Sequence, residues 1–246
     1  MKNKLITAVL FASILISAGC VKDNGVCISS TGKTITQDRG SEAFTTISVY
    51  DNINLILTQD PSVNNIKVEA GENLIEGITT RIDSGKLVLR NENSCNWLRS
   101  FKVPVNVYLT FTKLDTLSFQ AAGNITCTND WTNNSVYVAV IEGSGQFDLK
   151  LQAYRSFFFI PNGTTTISVI GKSDVTTIIS SSFGPVHAEN LVSKFTYIST
   201  HSPNDVFVSS SVDLQVEIGN IGNVYYRGNP ANIQTELLSE GKLIRL

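Results

Sequence analysis

Between Asn124 and Leu243 the sequence repeats one pattern seven times, a turn-forming or polar residue followed by an apolar one: Asn124-Ile125, Gln146-Phe147, Thr166-Ile167, Pro185-Val186, Asp205-Val206, Asn223-Val224 and Lys242-Leu243. The apolar members are separated by 22, 20, 19, 20, 18 and 19 residues. A second apolar series interleaves with the first at Val136, Phe157, Ile178, Tyr197 and Val216. Each unit of about 20 residues therefore holds two short strands, and a repeat of this length is typical of a solenoid.

A solenoid gives each repeat a way to bury its apolar side chains. One turn cannot do so alone, but turns stacked about 4.8 Å apart close a continuous core. We therefore predict an all-β, right-handed parallel β-helix-like solenoid. Its interior is expected to contain at least one ring of Phe157–Phe159, together with the first series: Ile125, Phe147, Ile167, Val186, Val206 and Val224. A β-sandwich with hairpins about 10 residues apart also gives such a repeat, but Asn-Gly-type hairpin turns are few.

The region before the repeats also has a strand pattern. From Phe44 onward apolar and polar residues alternate, as in Leu55 and Leu57, which is typical of half-buried strands. The one helix candidate is Glu72 to Ile78. We predict an N-terminal β-region over residues 44–118 and the solenoid region over 119–246. The N-terminal region is either a separate subdomain or the first turns of one continuous solenoid.

The first twenty residues have the features of an export signal. Lys2 and Lys4 precede an apolar run, Leu5 to Ile16, that is too short to span a bilayer. The small residues that lead to Cys20 resemble the lipobox of bacterial lipoproteins, which implies acylation of that thiol. We predict a signal peptide at 1–19, a tether at 20–43 and a lipid anchor in the outer membrane, on its surface or periplasmic side. The alternative is an ordinary secretory signal with a chance cysteine.

Three cysteines remain after Cys20, and an oxidising compartment would let one disulfide persist among them. We predict a Cys27–Cys95 bridge, because both residues lie in polar, turn-like sequence. Cys127 lies in a strand-like stretch and is as readily a buried apolar residue. The sequence has no CxxC pair, and its two histidines are far apart along the chain. No metal site or cofactor is therefore predicted.

Charge excludes several classes of protein. Among 246 residues the charged fraction is 16% and the formal net charge is −2, against about 25% charged residues in ordinary soluble domains. This composition excludes a disordered polyelectrolyte, a coiled coil and a basic nucleic-acid binder. We expect no nucleic-acid partner.

Catalysis would need a constellation that the sequence does not display. The candidate acids are Asp115, Asp130, Asp148, Asp174 and Asp205. Most of them stand beside Asn, Ser or Gly, where aspartate commonly shapes a turn. There is no nucleophile elbow, HExxH motif or P-loop. We therefore predict no catalytic residues and no enzymatic activity.

Aromatic residues give a lead to ligand binding. Trp97 lies in loop-like sequence after Cys95-Asn96, and Tyr225 and Tyr226 stand together. Such side chains stack on sugar rings, and they also fill cores. Trp97, Tyr225 and Tyr226 are our candidate ligand contacts.

Five segments together carry a family resemblance: Phe44–Val49, Ile53–Gln59, Val68–Ile75, Gly85–Leu89 and Gly219–Pro230. In order and spacing they resemble the putative auto-transporter adhesin, head GIN domain family. The resemblance covers Phe44 to Leu246. It implies a β-solenoid in an exported or lipid-anchored protein, and the family's name implies adhesion. It supplies no catalytic residues.

These observations favour a lipid-anchored protein of the cell envelope. We expect a non-catalytic, adhesin-like binding module that contacts glycan, matrix or another envelope protein. The alternatives are a polysaccharide-active enzyme on the same scaffold and an accessory protein of envelope signalling.

Overall fold

The computed structural model describes residues 30–93 and 104–246. They form an all-β solenoid of about six turns with about 20 residues each, as predicted. The strands are β1 Thr34–Asp38, β2 Thr46–Asn52, β3 Asn54–Gln59, β4 Asn65–Gly71, β5 Ile78–Asp83, β6 Lys86–Asn91, β7 Asn106–Phe111, β8 Thr116–Ala122, β9 Ile125–Cys127, β10 Trp131–Ser144, β11 Gln146–Ile160, β12 Thr166–Ser180, β13 Val186–Thr200, β14 Val206–Ser209, β15 Asp213–Ile218, β16 Val224–Arg227, β17 Asn232–Leu237 and β18 Leu243–Arg245.

The helix candidate between Glu72 and Ile78, expected to be a turn or two at most, is one 3₁₀ turn, Ile75–Gly77. A stretch this short offers a helix too few bonds to overcome the cost of nucleation. Within the described ranges no helix is long and apolar enough to cross a membrane.

Two parallel sheets enclose the core. The first sheet contains β6, β2, β8, β10, the second halves of β11 to β13, then β15 and β17. The second sheet contains β7, β3, β9, the first halves of β11 to β13, then β14, β16 and β18. The rings of Phe119 and Phe147, one from each sheet, meet edge to face with centroids 4.8 Å apart. The two inner faces therefore pack against each other.

The predicted interior is confirmed for the first apolar series. Ile125, Phe147, Ile167, Val186, Val206 and Val224 are all buried, and Phe158 is the buried ring of its triplet. The second series was predicted without a face, and its members fall on both faces of the sheet, since Phe157 and Tyr197 point outward. The inward column of the first sheet is Val138, Phe158, Ile178, Ile198 and Val216. A slip of one residue moves a side chain to the other face of a strand, and the intervals of 21 and 19 contained such slips.

The interior also holds hydroxyl side chains, which sequence reasoning did not anticipate. Ser156, Thr176 and Thr196 occupy equivalent inward positions in successive turns and are buried. Ser156 Oγ donates to Ser173 Oγ at 2.8 Å, and Ser193 Oγ donates to the Ser173 carbonyl at 2.8 Å. Because these hydroxyls are hydrogen-bonded, their burial carries little penalty. This edge of the core is a hydrogen-bonded column instead of an apolar one.

The N-terminal strands belong to the same ladder as the repeats. β2 lies between β6 and β8, and β3 lies between β7 and β9. Apolar residues from 44–93 and 104–118 therefore share one core with those of the later turns. Antiparallel strands close this end of the solenoid: β4 pairs with β7, β1 with β4, and β5 with β6. β1 lies inside the segment predicted as tether at 20–43.

Glycine allows the tightest contact between neighbouring turns. Gly171 has φ +117°, and a Cβ there would lie 2.0 Å from the Leu151 carbonyl oxygen in the turn before it. Gly145 has φ +130° and the same relation to the Gly123 carbonyl oxygen, also 2.0 Å. A larger residue would both strain the backbone and separate the turns.

Candidate binding surface

The outer side of the first sheet presents two columns of side chains. Alternate residues of each strand point outward, and parallel in-register pairing aligns equivalent positions about 4.8 Å apart. The first column is Thr116, Tyr137, Phe157, Thr177, Tyr197, Gln215 and Gln234, and the second is Ser118, Ala139, Phe159, Ile179, Ser199, Glu217 and Glu236. Aromatic rings thus share one surface with amides, hydroxyls and carboxylates.

Two hollows in this surface, of about 480 and 460 Å³, share Thr177 and Tyr197 in their walls. We call this continuous depression the groove. The rings of Tyr137 and Phe157 stack in it with centroids 5.1 Å apart and planes 14° apart. The small side chain of Thr177 separates that stack from Tyr197. The groove therefore has a space one residue wide between two aromatic surfaces.

Hydrogen-bonding groups border the rings at both ends of the groove. At one end, Asp115 accepts from Asn133 Nδ2 at 2.7 Å and lies 3.3 Å from Lys113 Nζ. Nearby, the exposed Arg155 has no carboxylate partner among the described residues, so its guanidinium is available to a ligand. At the other end, Glu217 accepts from Ser199 Oγ at 2.9 Å and lies 3.2 Å from His201 Nε2.

A different aromatic arrangement lies on the outer side of the second sheet. His187 stacks on Phe207 with centroids 4.9 Å apart and planes 14° apart, and Phe207 stacks on Tyr225 at 4.8 Å and 11°. We call these three residues the ladder. The rings occupy successive strands without a gap, so they cover one another's faces.

The structure separates the two tyrosines that the sequence put forward together. Tyr225 points outward in the ladder, whereas Tyr226 follows the inward position of Val208 and packs against the core. Their contact with a ligand stays a prediction. Three other predictions fall outside the described residues: acylation of Cys20, the Cys27–Cys95 bridge and the role of Trp97. The remaining cysteine, Cys127, is buried, and burial raises the pKa of its thiol to about 11.

Sequence reasoning missed the groove. Its rings at Tyr137, Phe157 and Tyr197, with Thr177 between them, recur every 20 residues. That periodicity was visible, but Phe157 and Tyr197 were grouped with Val136, Ile178 and Val216 in a series with intervals of 21, 21, 19 and 19 residues. A strict 20-residue interval was the signal that could have identified them as one outward column.

The candidate acids are dispersed over the surface. Asp148 lies outward on the second sheet beside Gln146, whose Nε2 donates to it at 3.0 Å. Asp174 pairs with Lys194 Nζ at 2.8 Å. Asp205 accepts from the Asn223 amide at 2.9 Å in a turn. In the described ranges no three potential ligands cluster as a metal site.

Comparison with solved structures finds several that share this fold. A putative adhesin from Bacteroides fragilis superposes with a TM-score of 0.80 at 18% identity, over 87% of this chain and 97% of that one. A putative lipid binding protein from Parabacteroides distasonis gives 0.67 at 15%, over 88% and 98%. A putative adhesin from Parabacteroides merdae gives 0.60 at 14%, also over 88% and 98%. At these identities the likeness establishes a shared fold.

Sequence comparison establishes the family. No curated protein matches this chain significantly. The profile of the family described as putative auto-transporter adhesin, head GIN domain, matches residues 43–230. This match covers most of the chain, so the protein belongs to the head GIN domain family.

Proposed function

We propose that this protein is a lipid-anchored, non-catalytic binding module of the cell envelope, and that its groove binds glycan. The observation that carries this proposal is the pairing of the Tyr137–Phe157 stack with Tyr197 across the gap at Thr177. The membership of an adhesin-like family supports a binding role. The alternative partner is a matrix component or another envelope protein. With another envelope protein as its partner, the module would be an accessory of envelope signalling.

The chemistry of the groove matches that of a sugar. The faces of a pyranose ring are largely C–H groups, which pack against aromatic rings, and its edge carries hydroxyl groups that need hydrogen-bond partners. The groove offers ring faces at Phe157 and Tyr197 and polar partners at Arg155, Gln215 and Gln234. Ligand sites typically combine an apolar floor with a few such polar groups.

The distance between the acids at the two ends of the groove supports a non-catalytic role. Asp115 and Glu217 are separated by five strand spacings of about 4.8 Å, on the order of 24 Å. Glycoside hydrolysis requires two carboxyl groups about 5–9.5 Å apart. Asp115 and Glu217 are therefore too far apart to act together on one glycosidic bond.

One observation favours the enzymatic alternative. Glu217 and Glu236 are partners in β15 and β17, one strand spacing of about 4.8 Å apart, close to the about 5–5.5 Å of retaining glycosidases. Incubating a bound oligosaccharide with wild-type protein and with Glu217→Gln distinguishes the two functions. Under our proposal neither releases reducing sugar. Release by wild type alone would establish catalysis.

The binding proposal is tested first on a glycan array and then by calorimetry with an oligosaccharide that binds. We expect Tyr197→Ala to raise Kd about tenfold, equivalent to about 1.4 kcal/mol. Tyr225→Ala is the matched control, because it removes an outward tyrosine from the opposite sheet. Silence across the array, or equal losses in both variants, would contradict glycan binding in the groove. Vesicle binding in its place would favour a lipid ligand, as the name of one structural relative suggests.

The membrane anchor rests on the residues around Cys20. Metabolic labelling with a palmitate analogue should mark the wild-type protein and leave Cys20→Ser unlabelled. Labelling of both proteins, or of neither, would exclude this anchor. Protease treatment of intact cells then determines the side of the outer membrane, since only a surface-exposed protein is digested.

A further inference from the structure

The β-hairpin of β5 and β6 extends the first sheet on the side where the groove begins. β6 pairs with β2, β2 with β8 and β8 with β10, so the outer side of the hairpin is continuous with the surface of the groove. Ser84 and Gly85 both have positive φ, as a two-residue hairpin turn of type I′ requires. Leu87 and Leu89 point into the core. The residues on either side of each leucine therefore point outward.

Three exposed cations lie on the outer side of this hairpin, and we call Arg81, Lys86 and Arg90 the cationic patch. Arg81 is the register partner of Val88, which makes it diagonal to both other cations, at about 7–8 Å for such positions. None of the three forms an ion pair with a carboxylate in the described ranges. The guanidinium of Arg90 lies over the Tyr50 ring, 4.0 Å from its centroid. A cation–π contact holds this group in place without an anion.

Two carboxylates lie at the ends of the cationic patch and leave it positive. Asp83 is the register partner of Lys86, but its Oδ1 accepts from Ser84 Oγ at 2.9 Å. At the other end, Glu92 Oε1 accepts from Thr79 Oγ1 at 3.5 Å. Like charges on neighbouring strands repel and bring the fold no stability. A bound anion would turn this repulsion into attraction.

One column of side chains connects the cationic patch to the rings of the groove. Its successive register partners are Lys86, Thr46, Thr116 and Tyr137. Three strand spacings of about 4.8 Å place the patch on the order of 14 Å from the first ring. Threonine side chains line this stretch, so no large side chain of the column stands between the two. A chain-like ligand that lies in the groove and extends along this column reaches the patch.

Building on the function proposed for the groove, we propose that its glycan is acidic, with carboxylate or sulfate groups held over the cationic patch. Arginine binds such oxyanions through paired N–H donors. Arg155, beside the rings, adds a further cation with no carboxylate partner in the described part of the chain. At the far end of the groove, Glu217 and Glu236 repel an anion. The glycan is therefore bound in one orientation, with its acidic part towards the hairpin.

Fluorescence anisotropy with labelled oligosaccharides tests this proposal. The acidic probes are oligogalacturonate and a heparin oligosaccharide. Their neutral counterparts, methyl-esterified oligogalacturonate and desulfated, carboxyl-reduced heparin, keep the backbone and lose the charge. We expect an acidic probe to bind at least tenfold more tightly than its neutral counterpart. Raising NaCl from about 50 mM to about 500 mM should remove most of this preference, because exposed charges are then screened.

Variants locate the site of the charge effect. The double variant Arg81→Gln, Arg90→Gln should weaken binding of the acidic probe at least tenfold and leave binding of the neutral one unchanged. The matched control is Lys67→Gln, Lys172→Gln, which removes two charges from exposed positions on β4 and β12, outside the hairpin. Equal weakening in both double variants would overturn the proposal, because the effect would then belong to the net charge of the protein.

The remaining outcomes separate this proposal from the function of the groove. Neutral glycans that require Tyr197 but bind as well as acidic ones would overturn the acidic ligand and keep the groove as a glycan site. An acidic probe that requires the cationic patch but not Tyr197 would overturn the single ligand that covers both. Binding of phosphatidylglycerol vesicles in place of either acidic probe would assign the patch to a lipid headgroup and overturn the proposal.

Discussion

The groove and the ladder are built from the same kind of side chain on opposite sheets, but their rings are arranged differently. In the ladder, His187, Phe207 and Tyr225 follow one another at 4.8–4.9 Å. In the groove, Tyr137 and Phe157 stack, and Thr177 then interrupts the column before Tyr197. The rings of the ladder cover one another's faces, whereas the groove leaves ring faces open to a ligand.

This difference separates structural from functional aromatic residues in a solenoid. The strand spacing of about 4.8 Å brings equivalent rings into stacking distance wherever they repeat. Stacking is therefore a consequence of the fold and contributes about 0.5–1.5 kcal/mol per pair. A gap in such a column has no comparable structural benefit. Gaps beside rings are the feature to examine when binding surfaces are sought on β-solenoids.

The largest effect is expected from a pair of neighbours on opposite faces of β11. Phe158→Ala empties a fully buried position and should lower the free energy of unfolding by about 3–5 kcal/mol. Phe157→Ala removes an outward ring of the groove and should cost only about 1 kcal/mol, the stack with Tyr137. Urea denaturation of the two variants measures both values. Equal losses would mean that the register of the first sheet is wrong.

The sequence predicted the solenoid better than it predicted the surface. The prediction for the first apolar series was correct because turn residues mark where each strand of the second sheet begins. The residue after the turn points inward every time. The strands of the first sheet begin after a bend inside β11 to β13, without such a mark. Apolar side chains lie on both faces of these strands, as the neighbours Phe157 and Phe158 show. No alternation of apolar and polar residues therefore indicated which residues point inward. The groove was missed for the same reason, because nothing in the pattern showed that its rings face outward.

The second-largest effect is a pH dependence of stability that comes from Cys127, which is buried in the core between the sheet of the groove and the sheet of the ladder. Burial holds the pKa of the Cys127 thiol at about 11 in the folded protein, whereas in the unfolded chain it ionises near pH 9. Stability from this thiol is complete below pH 9 and declines as the pH rises, because only the unfolded state then releases the proton. The loss should reach on the order of 2–3 kcal/mol by pH 11.

The measurement compares urea denaturation at pH 8 and pH 10.5 for wild type and Cys127→Val. The variant removes the thiol, so the pH dependence of the difference between the two proteins isolates its contribution. A difference that does not change with pH would show that the thiol is accessible to solvent. In that event the interior between groove and ladder is less closed than the structure indicates.

The ladder is tested by opening a gap in it. Phe207→Thr removes both stacked pairs and should lower the free energy of unfolding by about 1–2 kcal/mol, with no change in glycan affinity. Thermal denaturation and calorimetry on the same preparation measure the two quantities. Ser168→Ala, on the same outward column but outside the ring stack, is the control for substitution on this face. A loss of glycan affinity in Phe207→Thr would transfer the binding function to the ladder.

The converse substitution closes the gap in the groove. Thr177→Phe places a ring between Phe157 and Tyr197, in register with both, and so converts the groove into a second ladder. The two new stacks should raise the free energy of unfolding by about 1 kcal/mol, while glycan affinity falls at least tenfold because the space for the sugar is filled. Thr177→Val, which keeps the size of the side chain, should retain binding. A Thr177→Phe protein that is more stable and binds glycan as well as wild type would show that the gap is not the binding site, since the same ring that completes the stack must exclude the ligand.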